Sequence, residues 1–294
     1  MDFTQIVEET AALGMNLYDL ALWQDGEISF WQYVPCNRCN DSYSVAKVYT
    51  MTAVGLLFSE GKLSLDARLI DFFPEHLPAD MPDAWRRVTV EHALTHRVGF
   101  GESTLDIDCE DASQYPQDYL RHLFSMPLAH EPGTESVYTD AAYYLLSRVV
   151  GEAAGEPMDQ LLYRRILRPL RIQEAAWSRD PQGHPIGATG LYIGAQDMVK
   201  LGALYLNGGV YEGKRLLSGA WVARALGHDY ELHRMAEGRL YLKHGMYGQG
   251  LCFSPDLRFA AAWHACEHGE RSRAMAEYFG QLALRLTGEP TQER

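Results

Sequence analysis

Several features that mark exported, membrane-spanning or nucleic-acid-binding proteins are missing from this sequence. Basic residues are scarce, since 26 lysines and arginines face 39 aspartates and glutamates for a formal net charge of −13. That balance disfavours nucleic acid or an anionic membrane surface as the main partner. Apolar runs stay short of the roughly 20 residues that a membrane-spanning helix needs. The first residues, Met1–Glu9, have neither the basic region nor the apolar stretch of a signal peptide.

Cysteine is also sparse, and its five copies are an odd number. This usage is typical of free thiols in a reducing compartment, so we expect a cytoplasmic protein. A zinc or thiol-redox site is an alternative, because Cys36-x-x-Cys39 could combine with His264, Cys266 and His268. A single CxxC without a second matching pair is a weak zinc signal, however. We therefore expect neither a metal nor another cofactor.

The remaining composition is that of an ordinary globular protein, with 294 residues of which 47% are hydrophobic and 22% charged. Strand patterns occur near both ends of the chain, starting with a hairpin around Asp25-Gly26. Helical patterns fill the middle. The fold predicted is α/β (α+β), an antiparallel sheet built from both termini, flanked by helices, with an inserted mainly helical lobe. We expect one domain over 1–294, with sub-lobes at about 1–65 plus 190–294 and at 66–189.

The most informative stretch runs from Ser44 to Phe58. As a helix it is apolar on nearly every face, which is typical of a helix buried in a large core. Its one charged residue, Lys47, lies three positions after Ser44, so the two side chains should be neighbours. Burial should lower the pKa of the Lys47 amine. A neutral lysine beside a serine at a helix N-terminus is the arrangement of a nucleophile with its base.

Two later segments carry further reactive groups. Tyr138 and Asp140 lie where a loop enters a helix, and Lys243-His244-Gly245 lies at the start of a predicted strand over 245–253. A glycine there permits close approach of backbone or substrate. Since side chains alternate along a strand, His244 faces either the same cleft or the opposite side.

The order Ser44-x-x-Lys47, Tyr138-x-Asp140, Lys243-x-Gly245 resembles the S-x-x-K, Y-x-N and K-T-G elements of serine β-lactamases and penicillin-binding proteins. The sequence is similar in particular to the class C β-lactamase-like proteins, which include esterases, D-amino-acid peptidases and amide hydrolases. The segments at 63–66, 94–99 and 190–198 also look like parts of that family, so the resemblance covers almost the whole chain.

The resemblance implies roles for these residues. Ser44 would form a covalent acyl-enzyme, with Lys47 accepting its proton and Tyr138 relaying a proton to the leaving group. The backbone N–H groups of Ser44 and Met246 would form the oxyanion hole. Lys243, next to His244 and Gly245, would supply positive potential and could bind a substrate carboxylate.

Two positions depart from the family pattern. Asp140 stands where asparagine is usual, and an ionised Asp140 beside Lys47 would weaken the lysine as a base. His244 replaces a threonine whose hydroxyl β-lactam enzymes use on the substrate carboxylate. Both departures argue against efficient penicillin hydrolysis, while esterase or amidase activity stays open. We therefore expect a serine hydrolase acting on a small ester or amide. The alternatives are a non-catalytic ligand-binding member and a true β-lactamase or D,D-peptidase.

Overall fold

The protein is described by a computed structural model that covers residues 1–109, 111, 113, 115–228 and 230–287. The helices are α1 (Phe3–Ala11), α2 (Ala46–Ser59), α3 (Val90–Leu94), α4 (Tyr119–Ser125), α5 (Asp140–Ala154), α6 (Met158–Leu162), α7 (Ala195–Leu206), α8 (Gly219–Gly227) and α9 (Ala274–Leu286). The strands are β1 (Leu17–Gln24), β2 (Glu27–Gln32), β3 (Asn40–Asp41), β4 (Ala175–Trp177), β5 (Leu191–Ile193), β6 (Val210–Tyr211), β7 (Lys214–Arg215), β8 (His233–Met235), β9 (Leu240–His244), β10 (Gly250–Ser254) and β11 (Phe259–Ala265).

The main sheet has six strands in the order β2-β1-β11-β10-β9-β8. Each neighbouring pair is antiparallel. Strands from the first 32 residues and the last third of the chain thus share one sheet, as the sequence predicted. The turn between β1 and β2 places Asp25 and Gly26 at φ of +50° and +96°, the left-handed pair that a two-residue hairpin requires.

The chain folds into two compact units, 1–48 with 165–176 and 191–294, and 49–164 with 177–190. We call them the sheet unit and the helical unit. In the sheet unit, one face of the sheet packs on α1 and α9; Trp263, for example, stacks on Phe279 with ring centroids 5.2 Å apart. The other face packs on α7, where Gly202 approaches Leu251 and Ala260 so closely that an added Cβ would lie 3.0 and 3.1 Å from them. Small residues therefore let this helix lie flat on the strands.

Helix α5 forms the core of the helical unit. Thr139 caps its N-terminus, and Gly155 ends it in the left-handed conformation. A polar network is buried against it: Arg148 donates to the Tyr144 hydroxyl at 2.9 Å, and Tyr144 donates to Asp180 at 2.7 Å. Burial of these charged and phenolic groups is tolerated because each finds a partner.

The structure also changes some predicted boundaries. The strand expected over 245–253 begins only at Gly250, because the preceding residues form a turn closed by a hydrogen bond from the Gly245 amide to the Gln249 carbonyl at 2.8 Å. In the middle of the chain, where helical patterns were predicted, α6 is followed by a π-helical turn over 163–167. The last helix begins at Ala274, after a 3₁₀ turn over 269–273.

Candidate active site

Ser44 lies in the 3₁₀ turn Tyr43–Val45 that leads directly into α2. The backbone of Tyr43 is left-handed, with φ of +46°, which a bulky side chain rarely adopts away from functional sites. Asp41 stabilises this conformation because its Oδ1 accepts a hydrogen bond from the Tyr43 amide at 2.8 Å. The strained turn fixes the position of the Ser44 hydroxyl at the N-terminus of the helix.

Lys47 lies in the first turn of α2 and is fully buried. Its Nζ donates a hydrogen bond to Ser44 Oγ over 3.1 Å. The i to i+3 spacing predicted that these side chains touch, and the structure confirms it. At this distance a proton can pass between the oxygen and the nitrogen.

The end of β9 passes close to the Ser44 turn. A Cβ added to Gly245 would lie 2.9 Å from the Ser42 carbonyl oxygen and 3.1 Å from Tyr43 Cβ. Only glycine fits this approach, as expected for the small residue of the K-x-G element. Because alternate residues of a strand share a face, Lys243 points to the side of β9 opposite Leu242, and it lies two residues before Gly245.

His244 points to the opposite side of β9. It shares the face of Leu240 and Leu242, which belong to the apolar core that α9 covers. Burial lowers the pKa of His244 to about 4, and the positive charges of Lys243, His233 and Arg273 contribute to this lowering. The sequence allowed His244 to face either the cleft or the opposite side of the strand. The structure shows that it faces the opposite side, where its ring is neutral at pH 7.

A tight turn over 245–249 carries Met246, whose side chain is 39% exposed. Buried Gln249 holds this turn: its Oε1 accepts from the Tyr247 amide at 3.2 Å, and its Nε2 donates to the Ala265 carbonyl at 2.8 Å. The Tyr247 ring in turn packs edge-on against Tyr43, with centroids 4.9 Å apart. Gln249 thus positions the backbone that follows the K-x-G element. Sequence reasoning missed it, since a glutamine between glycines carries no motif.

Glu231 is a second residue that sequence reasoning missed. Its carboxylate forms an ion pair with the Lys243 ammonium, and the two side chains are 0% and 3% exposed. Glu231 lies between buried Tyr230 and Leu232, just before β8. The only sequence pattern at this position is an acidic residue between two apolar ones. This pattern does not indicate which residue Glu231 pairs with.

Tyr138 and Asp140 belong to the helical unit. The Tyr138 ring is 46% exposed and packs on the buried ring of His96, with centroids 4.5 Å apart. The same histidine accepts hydrogen bonds from both neighbours of Tyr138, through its carbonyl from Val137 N at 2.9 Å and through Nδ1 from Thr139 N at 3.3 Å. His96 therefore holds the backbone on either side of Tyr138 as well as its ring.

Asp140 is the first residue of α5 and is 7% exposed. The N-cap of α5 is Thr139, whose side chain accepts a hydrogen bond from the Ala141 amide. Carboxylate oxygens of Asp106, Asp108 and Asp140 lie within 4.8 Å of one another, a spacing that could hold a metal ion. Among the described residues, no other group of three or more candidate metal ligands lies within this distance. Cys36 and Cys39 do not belong to the group.

Comparison with known proteins identifies the family. A sequence model of the Beta-lactamase family matches residues 3–285. The chain belongs to this family. Penicillin-binding protein 4 of Amycolatopsis lactamdurans is 31% identical over 62% of this chain and 55% of its own length. Esterase EstB of Burkholderia gladioli is 30% identical over 47% of this chain and 38% of its own length. The chain thus spans about half or less of the length of these curated relatives.

The solved structures show the same fold. A putative 6-aminohexanoate-dimer hydrolase from Bacillus anthracis superposes with a TM-score of 0.80 over 99% of this chain and 84% of that chain, at 15% identity. The β-lactamase/transpeptidase-like fold predicted from the motif order is confirmed. The Beta-lactamase family comprises serine hydrolases, among them esterases, peptidases and amidases. In the described part of this family member, no helix is both long and apolar enough to span a membrane.

Proposed function

We propose that the protein is a serine hydrolase that cleaves a small ester or amide through an acyl intermediate on Ser44. The observation that carries this proposal is the 3.1 Å contact between Ser44 Oγ and the amine of fully buried Lys47. The membership in a family of serine hydrolases supports it. The names of two relatives, an esterase and an N-acetylmuramyl-L-alanine amidase, agree with the two bond types proposed.

In the acylation step, Ser44 Oγ forms a bond to the substrate carbonyl carbon while its proton passes to neutral Lys47. The negative charge moves to the carbonyl oxygen, where the N–H groups of Ser44 and Met246 would stabilise it. The bond to the leaving group then breaks, and Tyr138 gives its proton to the leaving group while it takes up the proton held by Lys47. The role of Tyr138 is carried over from the family motif, and its ordered placement on His96 supports it.

Deacylation needs a water molecule in place of the leaving group. Water attacks the acyl carbon, the ester bond to Ser44 breaks, and one proton of the attacking water ends on the serine oxygen. The products are a carboxylic acid and the free enzyme, so no cofactor is consumed. We extend the proposal to a cytoplasmic location, which the free thiols of all five cysteines support.

A panel of esters, amides and β-lactams run on wild type and Ser44→Ala tests this function. We expect hydrolysis of at least one ester or amide by wild type and its loss in Ser44→Ala. Preferential turnover of a β-lactam or of a D-alanyl-D-alanine peptide would favour the β-lactamase or peptidase alternative instead. Folded wild type that acts on nothing in the panel would favour the ligand-binding alternative, which Asp140 motivates.

A further inference from the structure

The lysine of the K-x-G element is paired inside the protein. Lys243 and Glu231 form an ion pair in which both side chains are almost completely removed from water. Arg38 and Glu174, by contrast, make a contact in which the side chains are 68% and 52% exposed. Exposed pairs are screened by solvent and hold their partners weakly, whereas a buried pair keeps each charge close to its counterion.

A paired lysine acts on a substrate differently from an unpaired one. An unpaired buried ammonium attracts an anion strongly, because little solvent screens it. Once a carboxylate lies against it, the pair carries no net charge, and the potential it projects is that of a dipole. The charge that would attract a substrate carboxylate is thereby offset inside the protein.

The position of the pair matters for the reaction. Lys243 lies two residues before Gly245, whose backbone closely approaches the turn that carries Ser44. Glu231 reaches it from the residues just before β8, the strand that neighbours β9 at the edge of the sheet. Any effect of this lysine on an acyl donor at Ser44 therefore depends on whether Glu231 is charged.

We propose that Glu231 is a specificity-determining residue: by neutralising Lys243 it makes the site select acyl donors that lack a carboxylate in the leaving group. The inference rests on the proposed hydrolysis at Ser44 and deepens it by naming the substrate class. The preferred substrates are neutral esters or amides. Acyl donors whose leaving group ends in a carboxylate, as in a peptide with a free C-terminus, are disfavoured.

The test uses two substrates that differ in one charge, phenyl butyrate and 3-carboxyphenyl butyrate. The quantity measured is the ratio of kcat/KM for the anionic ester to kcat/KM for the neutral ester. We expect a ratio below one in wild type, and a rise of about tenfold in Glu231→Gln, since that variant removes the carboxylate charge that offsets Lys243. Glu231→Asp keeps the charge and should leave the ratio within about twofold of wild type.

A double variant guards against loss of folding, because removing one partner of a buried pair is strongly destabilising. Glu231→Leu with Lys243→Met replaces the pair by apolar side chains. Its ratio should stay within about twofold of wild type, because a neutral pair and an apolar pair attract an anion equally little. If the ion pair only stabilised the fold, Glu231→Gln would also leave the ratio unchanged.

Three results would overturn the inference: a wild-type ratio above about ten, an unchanged ratio in folded Glu231→Gln, or a roughly tenfold drop in the double variant. Each is judged on turnover that Ser44→Ala abolishes. If the protein hydrolyses no ester or amide of the panel, or if hydrolysis persists in Ser44→Ala, the proposed function itself fails and the inference fails with it. The two failures are therefore distinguishable.

Discussion

The amine of Lys47 lies 3.1 Å from the hydroxyl oxygen of Ser44, and no part of the Lys47 side chain is exposed to water. Burial removes the water that would otherwise solvate the ammonium, and the backbone strain at Tyr43 holds the serine in place. These two features support the proposal that Lys47 is the base that accepts the proton of Ser44.

Replacement of Lys47 should abolish acylation. In Lys47→Ala the proton acceptor is gone, and kcat/KM should fall on the order of 10³. Lys47→Arg should not restore it, because the guanidinium stays charged. Ester hydrolysis measured with equal amounts of folded protein checks this, with Lys62→Ala as control, since the Lys62 side chain is 58% exposed. An active Lys47→Arg enzyme would disprove the role of Lys47 as a base.

Gly245→Ala should damage both stability and activity. The new Cβ would lie 2.9 Å from the Ser42 carbonyl oxygen, so strand or turn must shift. We expect a loss of about 1–3 kcal/mol in the free energy of unfolding and a fall in kcat/KM on the order of 10². Urea denaturation and ester kinetics measure the two effects. Gly227→Ala is the matched control, because nothing lies within 4 Å of a Cβ there; equal effects at both glycines would refute the close-approach argument.

His96 should act through Tyr138. His96→Phe keeps an aromatic ring but loses the acceptor of the Thr139 amide, and we expect kcat/KM to fall about tenfold while KM changes little. In the Tyr138→Phe background the same substitution should cost much less, which a double-mutant cycle measures. His122→Phe, a half-buried histidine beside Tyr115, serves as control. Fully additive effects of His96 and Tyr138 substitutions would show that His96 stabilises the fold without positioning the phenol.

The buried His244 should make stability depend on pH. Its pKa is lowered from 6.5 to about 4 in the folded protein, so between these values the unfolded chain binds a proton that the folded protein does not. The free energy of unfolding therefore keeps its full value above about pH 6.5 and falls as the pH drops toward 4, by up to about 3 kcal/mol. His244→Asn should reduce the difference in the free energy of unfolding between about pH 5 and pH 7.5, measured by urea denaturation. An unchanged slope in His244→Asn would contradict the assignment.

The sequence predicted those parts of the fold and site that depend on local patterns. The Asp25-Gly26 hairpin and the contact between Ser44 and Lys47 follow from turn chemistry and helical spacing. The end of β9 was predicted less well, because the turn over 245–249 depends on Gln249 reaching the Ala265 carbonyl on another strand. Nothing local marks such a contact.

The sequence also could not predict the ion-pair partner of Lys243. Glu231 is twelve positions away, and its carboxylate meets the lysine only once β8 and β9 are paired and the residues around it are buried. The orientation of His244 is likewise decided by which face α9 covers. Long-range packing, rather than propensity, sets these features of the site.

The most direct test of the proposed nucleophile is intact-mass analysis of the protein after incubation with a fluorophosphonate at about pH 7–8. Ser44 Oγ should displace fluoride from phosphorus and give a single adduct, which peptide mapping places on Ser44. The adduct should vanish in Ser44→Ala and persist in Ser59→Ala, which alters the other end of the same helix. An adduct that survives in Ser44→Ala, or folded wild type that takes up no probe, would contradict the nucleophilic role of Ser44.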